Sequence, residues 1–321
     1  MKKRIITVLI ASCAVLFALS GCGGDSTSEE TANTPETVAV TYVTSPLNLP
    51  SIVEKNQELF SGSLSEIGVE EVSYSEITSG ADQTQALASG DIQFLYAVGA
   101  TSVILSAANG ADIKIVSMYS RSPEAFCLYS SDDAISSPED LLGKTIAGPA
   151  GTILHELLVS YLATAGMTID DVNFVSMGIP DALAALSGGS ADVAMLAGAA
   201  AYNAEASGLH LVTNGKDLVD GTICCATTGE FYEQHPDVVA ALLAAQSEAV
   251  GYIESNFDDV VTMATEELDL DEQAVSDMAA YYDFNPEIRE SDIASMEKTV
   301  DFMLESDMID NEVDIRSLIA Q

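Results

Sequence analysis

Only three imidazoles are available to this chain, at His155, His210 and His235. A catalytic metal site needs about three ligands to converge, and general acid–base or nucleophilic catalysis needs a base or nucleophile with an orienting partner. The pair His155-Glu156 begins like a zinc-protease helix, yet Val159 fills the place of the second histidine one turn later. The histidines otherwise fall on a helix turn, a strand and a loop, so neither a metal centre nor a cofactor is expected. No Walker phosphate loop or dinucleotide glycine fingerprint is present. The chemistry that remains is non-covalent. A glycine-rich turn leading into a helix leaves N–H groups unpaired and aimed outward, where they favour negative charge. Gly151-Thr152 and Gly99-Ala100-Thr101 are two such turns. Gly151 permits close approach, and the hydroxyl of Thr152 either caps its helix or meets a ligand. Thr101 carries the same two alternatives.

These turns are positioned by an alternation of strands and helices. Strands are predicted over 38–44, 69–77, 92–97 and 113–119, with helices over 51–62, 82–89 and 101–108 between them. The pattern restarts after Arg121-Ser122-Pro123 with strands at 125–129 and 145–147 and a short helix at 138–142. Ile153, Leu154, Leu157, Leu158, Tyr161, Leu162 and Ala165 recur at the helical period, and Gly166 closes that helix. Strands at 172–177, 192–196 and 209–213 and helices at 182–186 and 199–207 complete the second unit. From Phe231 onward the pattern is almost wholly helical. Such alternation predicts parallel sheets covered by helices.

The two units echo one another. Ala86-Leu87-Ala88-Ser89-Gly90-Asp91-Ile92, followed by Leu95, Gly99, Asn109-Gly110 and the 113–116 strand, matches Ala185 through Ser190-Ala191-Asp192-Val193, then Leu196, Gly198, Ser207-Gly208 and 209–212. Each runs as helix end, glycine turn, aspartate, apolar strand, glycine, small-residue helix, glycine and strand. Two α/β lobes of like topology follow, with ligands expected at the carboxyl ends of their strands.

Fifty acidic residues face 11 basic ones, a net charge of −39. Lys2, Lys3 and Arg4 precede an apolar run over 5–19, too short to span a bilayer but suited to an export signal. With those three cations removed, eight basic residues oppose fifty acidic ones, a balance of −42. Nucleic acid and anionic membrane surfaces are poor partners for such a chain. Leu19-Ser20-Gly21-Cys22 looks like the lipobox of bacterial lipoproteins, which implies a signal peptide over 1–21, lipid on Cys22 and a Gly/Ser/Thr/Glu-rich tether over 22–37. Cys127, Cys224 and Cys225 then remain. Adjacent strand residues point to opposite faces, so at most one of the last two meets Cys127, and three buried thiols are favoured over a disulfide.

Several segments in order, Ser89-Gly90-Asp91-Ile92 with Gly99, Asp140-Leu141-Leu142-Gly143-Lys144-Thr145-Ile146-Ala147, Gly151-Thr152-Ile153-Leu154-His155, 188–192 and Phe231-Tyr232-Glu233-Gln234-His235-Pro236-Asp237-Val238, resemble the solute-binding lipoproteins of ABC importers for taurine, aliphatic sulfonates and nitrate. That group also includes binders of thiamine pyrimidine precursors. The resemblance runs from Val38 to the C-terminus. It implies an α/β fold, a two-lobed periplasmic-binding-protein type II clamshell, each lobe a mostly parallel sheet flanked by helices, with an extra helical C-terminal segment. One lobe is expected at 38–122 plus 228–321 and the other at 123–227, with hinge crossings near 121–124 and 221–228. A monomer that hands its solute to a permease dimer with ATPase subunits is implied, on the outer side of the membrane.

The strand-end rule nominates the lining. From the first lobe come Ser45, Leu47 and Asn48 in a two-proline loop, and Tyr96, Val98, Gly99, Ala100 and Thr101. From the second come Gly151, Thr152, His155, Gly178, Leu196 and Gly198. Asn48 either meets the solute or holds a surface turn. Arg121, beside the expected hinge, pairs with an anionic solute or with one of the many carboxylates. His155 faces the solute or is a neutral, hydrogen-bonded structural histidine. Tyr96, Tyr119, Phe126 and Tyr202 wall the pocket or lie in the core. Twenty acidic residues between 254 and 314, against Arg289 and Lys298, oppose an incoming anion at long range but not at contact. Neutral, zwitterionic and cationic solutes therefore stay open. The rival readings are a pyrimidine-forming enzyme on the same fold and a surface sensor whose acidic helices bind a partner protein.

Overall fold

The computed structural model describes residues 34–320, so the expected signal peptide, Cys22 and most of the expected tether lie outside the described residues. The first run of elements is β1 (Thr37–Thr41), α1 (Leu49–Asn56), α2 (Leu59–Ser65), β2 (Glu71–Ser75), α3 (Gly80–Ser89), β3 (Leu95–Gly99), α4 (Ala100–Ala108) and β4 (Lys114–Arg121). The second is β5 (Phe126–Ser130), β6 (Thr145–Gly148), α5 (Ile153–Ala163), β7 (Asn173–Ser176), α6 (Ile179–Ser187), β8 (Val193–Ala197), α7 (Ala199–Ala206) and β9 (His210–Asn214). After β10 (Thr222–Thr227) the chain is helical: α8 (Gly229–Gln234), α9 (Pro236–Ser255), α10 (Phe257–Leu268), α11 (Glu272–Ala279), α12 (Glu290–Glu305) and α13 (Ile315–Leu318).

The echo in the sequence becomes an echo in strand order. β1 pairs with β2 in parallel, and a bridge from Val40 to Phe94 brings β1 alongside β3. β3 is followed by β10 and then β4, giving the order β2-β1-β3-β10-β4. The other sheet reads β7-β6-β8-β5-β9. In each, the antiparallel strand sits fourth: β10 against β3 and β4, and β5 against β8 and β9. Each of these strands enters straight after the chain has left the other sheet, which is why the parallel arrangement of the remaining strands is broken once per sheet. The expected boundary at 227 puts β10 with the second unit; its pairing puts it in the first sheet instead. Nothing in Thr222-Ile223-Cys224-Cys225-Ala226-Thr227 names its partners, because every residue is buried and no face is distinguished.

The two crossings lie side by side. Ser122 N–H donates to the Gly221 carbonyl at 3.2 Å. Gly221 has φ +60, and a Cβ there would meet the backbone of Ser122 and Pro123 at 2.7 Å. Only glycine lets the strands approach this closely.

Helices cover both sheets with their apolar faces. α12 brings Ile293, Met296, Val300 and Met303 onto Leu95, Val98 and Ile104, while α5 buries Leu154, Leu157, Leu158 and Leu162 with Leu128, Ile146 and Val193. α1, α9 and α10 enclose a third cluster around Leu47, Leu49, Ile52, Ala249 and Val260. Burial of side chains of this size contributes on the order of 1.5–3 kcal/mol each before entropic costs. Among the described residues no helix is long and apolar enough to cross a membrane.

Candidate functional site

The loops at the carboxyl ends of β1, β3, β6 and β8 meet in one region. α4 begins directly at Gly99 and α5 at Thr152, so two helix N-termini, one from each half, come together there. A Cβ at Gly99 would stand 3.5 Å from the Ile153 side chain, and one at Gly151 would stand 3.2 Å from Leu105. Ser102 Oγ donates to the Gly151 carbonyl at 3.2 Å, a bond from α4 to the loop before α5. Gly198, at φ +59, packs its Cα face against the Pro46 carbonyl. The halves are thus in contact along a plane through residues 46, 99–102, 151–156 and 198.

One side chain crosses that plane and is missing from the sequence-derived lining. Glu156 is 8% exposed, and its carboxylate accepts hydrogen bonds from the Thr101 hydroxyl at 2.7 Å and the Thr299 hydroxyl at 2.8 Å. Burial pushes its carboxyl above the usual carboxylate range, against the opposing pull of the two hydroxyls. The available signal was an acid set inside the apolar stretch of α5, but its partners lie 55 and 143 residues away.

His155 takes the structural alternative. Gly151 N–H donates to its Nδ1 at 3.2 Å, which leaves the ring proton on Nε2, and the ring stacks on Phe174 with centroids 4.8 Å apart. Burial lowers its pKa, so the ring is neutral and buttresses the 151–155 turn. The Thr152 hydroxyl does not cap α5. It donates to the Pro149 carbonyl at 3.0 Å and closes the preceding turn. Thr101 donates to Glu156 instead of capping α4.

Asn48 is 1% exposed, not a surface turn. Its Nδ2 donates to the carbonyls of Val43 at 2.9 Å and Ser45 at 3.2 Å, holding the loop that contains the cis Ser45–Pro46 bond. Its Oδ1 is buried without a partner among the described residues, an acceptor free for a donor. Arg121 takes the carboxylate alternative. Its guanidinium grips both oxygens of Asp292, at 2.5 and 2.6 Å, and donates to the carbonyls of Asn285 and Glu287.

Five nominated residues belong to hydrophobic clusters rather than to an exposed lining: Leu47, Tyr96, Val98, Ala100 and Leu196. Tyr96 stacks edge-on to Tyr119 at 4.9 Å, and the Tyr119 hydroxyl accepts from Ser51 N–H at 3.1 Å, so both rings are core; Phe126 joins the same cluster. Ala100 is buried against Val103 and its neighbours. Ser45 and Gly178 are exposed, while Gly99, Gly151 and Thr152 are half-buried at the junction.

Beside Gly198 opens a cavity of about 600 Å³ between β5, α7 and α11. Tyr129, Tyr202 and Tyr281 wall it, with Glu205 and Asp277. Among the described residues no group of three or more His, Cys, Asp or Glu side chains is placed to hold a metal ion.

Residues 65–258 match the family described as NMT1/THI5 like. Over 325 residues, 99% of this chain and 95% of the relative, the sequence is 26% identical to a putative aliphatic sulfonates-binding protein of Bacillus subtilis strain 168. A taurine-binding periplasmic protein of Escherichia coli K12 is 29% identical over 184 residues, 56% of each chain. The alkanesulfonate-binding protein SsuA of Xanthomonas axonopodis pv. citri, solved bound to MOPS, superposes with a TM-score of 0.81 at 19% identity, covering 90% of this chain and 99% of that one. The fold is therefore that of periplasmic binding proteins, and the relatives named are binding proteins, not enzymes.

Proposed function

The chain belongs to the NMT1/THI5-like family, and from that premise we propose that it is the extracytoplasmic solute-binding component of an ABC importer. It captures a small sulfonate, taurine, nitrate or related organic acid and delivers it to a permease dimer with ATPase subunits. The observation that carries this reading is the meeting of the α4 and α5 N-termini from opposite halves. Each terminus offers unpaired N–H groups and a positive dipole end, favouring an anion by roughly 0.3–1 kcal/mol, and more when partly buried. A solute held by both ends has more contacts in the closed form than in the open one, and it draws the halves together by that difference in affinity.

The lobes in this reading are 34–121 with 222–320, and 122–221, hinged where Ser122 and Gly221 meet. Gly99, Thr101, Gly151, Thr152 and Gly198 face the solute as the jaws part, with Asn48 Oδ1 as an acceptor for a solute ammonium such as that of taurine. Cys22 carries the lipid that anchors the chain outside the cell membrane, with 1–21 removed as the signal peptide.

A zwitterionic or neutral solute, a thiamine-type pyrimidine precursor among them, is the second reading. The cavity beside Gly198 favours it, since its carboxylates and tyrosine faces suit an amino or heteroaromatic group. A thermal-shift screen against alkanesulfonates, taurine, nitrate, aromatic acids and pyrimidines separates the two. Stabilisation by a sulfonate supports the first, and stabilisation by pyrimidines alone transfers the assignment to the second. Turnover of a bound compound, without stabilisation by any unreactive solute, would instead mark an enzyme on this fold.

A further inference from the structure

We propose that Glu156 is a positioning residue that makes anion capture proton-coupled, a solute anion entering the closed cleft together with one proton taken up by this carboxylate. The proposal rests on the reading of the α4 and α5 N-termini as an anion site.

Thr101 has one hydroxyl proton, and it is committed to Glu156 Oε2 at 2.7 Å. While Glu156 is ionised, Thr101 therefore has only lone pairs left to offer an oxyanion, and these repel it. The Thr299 hydroxyl, at 2.8 Å from Oε1, completes the same ionised arrangement from α12. Protonation reverses the polarity of the chain of bonds. The new carboxyl O–H donates to Thr101 Oγ1, and the Thr101 hydroxyl proton swings out to the anion. The proton comes from buffer acid or water; no covalent bond other than O–H changes.

The surroundings favour this exchange. No Lys, Arg or His pairs with Glu156 among the described residues, and Asp220 acts on it in the sense that disfavours ionisation. α4 and β8 carry no titratable side chain. On β5, Cys127 and Tyr129 pack into the cluster that faces α6 and α7. On α12, Asp292 is committed to Arg121 a turn and more away, and Lys298 is exposed. His155, the neighbour on α5, has Nδ1 occupied by Gly151 N–H. An anion placed at the two helix ends adds a second like charge beside a buried carboxylate, and protonating Glu156 is the direct relief.

The test is titration calorimetry of the purified protein with butanesulfonate and taurine from pH 5 to 8, in two buffers of different ionisation enthalpy. The expected result is proton uptake approaching one per solute, and affinity falling up to tenfold per pH unit between the carboxyl's pKa in the free and bound forms. Glu156→Gln, which keeps a donor toward Thr101, should hold the acid-limit affinity at every pH with no proton uptake. Thr299→Val withdraws one hydrogen bond from the ionised form without touching the solute side, and should move the midpoint to higher pH. A sulfonate affinity independent of pH, or a Glu156→Gln variant with the wild-type slope, overturns the proposal while leaving the binding function intact. No heat with either sulfonate at any pH overturns the anion-site reading and this proposal with it. Circular dichroism of each variant separates a folding defect from a change in coupling, and the Thr299→Val shift decides the matter if Glu156→Gln does not fold.

Discussion

The carbonyl of Pro46 packs against Gly198 so closely that a Cβ on Gly198 would stand on it. Pro46 belongs to the loop after β1 and Gly198 to the turn between β8 and α7, so this backbone-to-backbone contact joins the two halves. Gly198 also has φ +59 and ψ −137, a combination nearly reserved for glycine. Sterics and backbone preference both forbid a side chain here.

Gly198→Ala should hold the jaws apart. The expected outcome is a destabilisation of about 2 kcal/mol from the strained backbone, together with a solute affinity at least tenfold weaker. Small-angle scattering should show a larger radius that added solute does not reduce. A variant that binds normally would place the solute contact on one half alone.

Arg121→Met should damage the fold and spare the site. The guanidinium forms the ion pair with Asp292, a carboxylate with its side chain 5% exposed, and breaking a buried pair by removing one partner costs about 3–5 kcal/mol. Burial pushes Asp292 up, but the Arg121 and Arg289 hydrogen bonds outweigh it and hold its carboxyl below the usual range, so the pair persists at neutral pH. Urea denaturation should report the loss, while calorimetry on the folded fraction should find solute affinity within about threefold of wild type, a difference of under 1 kcal/mol. A larger fall in affinity would return Arg121 to the binding surface.

Elements and the repeat were legible because both rest on local geometry. Ser89-Gly90-Asp91 and Gly188-Gly189-Ser190 each end a helix with a left-handed glycine, at φ +82 and +70, and turn directly into an apolar strand. Side-chain direction within buried strands was not legible. β3 and β8 are apolar throughout, so no alternation separates Val98 and Leu196, which face the core, from residues that reach the cleft. Arg121 and Glu156 show the same limit for charge. Their partners, Asp292 and the pair Thr101 and Thr299, come from distant elements, and only the packing of α4 and α12 brings them within reach.

The three thiols should behave as packing groups. Cys127, Cys224 and Cys225 are all free and buried, and burial pushes Cys127 and Cys225 up to about 12, far from the thiolate that reagents attack. An aromatic disulfide reagent should label them only as the protein unfolds, and a reductant should leave the melting temperature unchanged. Rapid labelling of the native protein, or a reductant-sensitive melt, would contradict this arrangement.

Glu54 should make the fold weaken as pH rises through the mildly acidic range. It is 1% exposed on α1, and its Oε1 accepts from the Tyr74 hydroxyl at 2.7 Å and from Phe60 N–H at 3.1 Å. Burial raises its pKa to about 7, beyond what those two bonds recover. The unfolded chain sheds this proton near pH 4.5, whereas the native protein keeps it until about pH 7. Native protein therefore binds more protons between those values, and stability must fall across the interval as pH rises. The full interval corresponds to roughly 3 kcal/mol as an upper bound. Glu54→Gln presents the same shape without a titrating group, so its unfolding free energy should lose this contribution to the slope between pH 4.5 and 7 and exceed that of the wild type at pH 8. Parallel urea melts of the two proteins across that range measure the difference directly, and equal slopes would show that Glu54 is already ionised in the native state at acid pH.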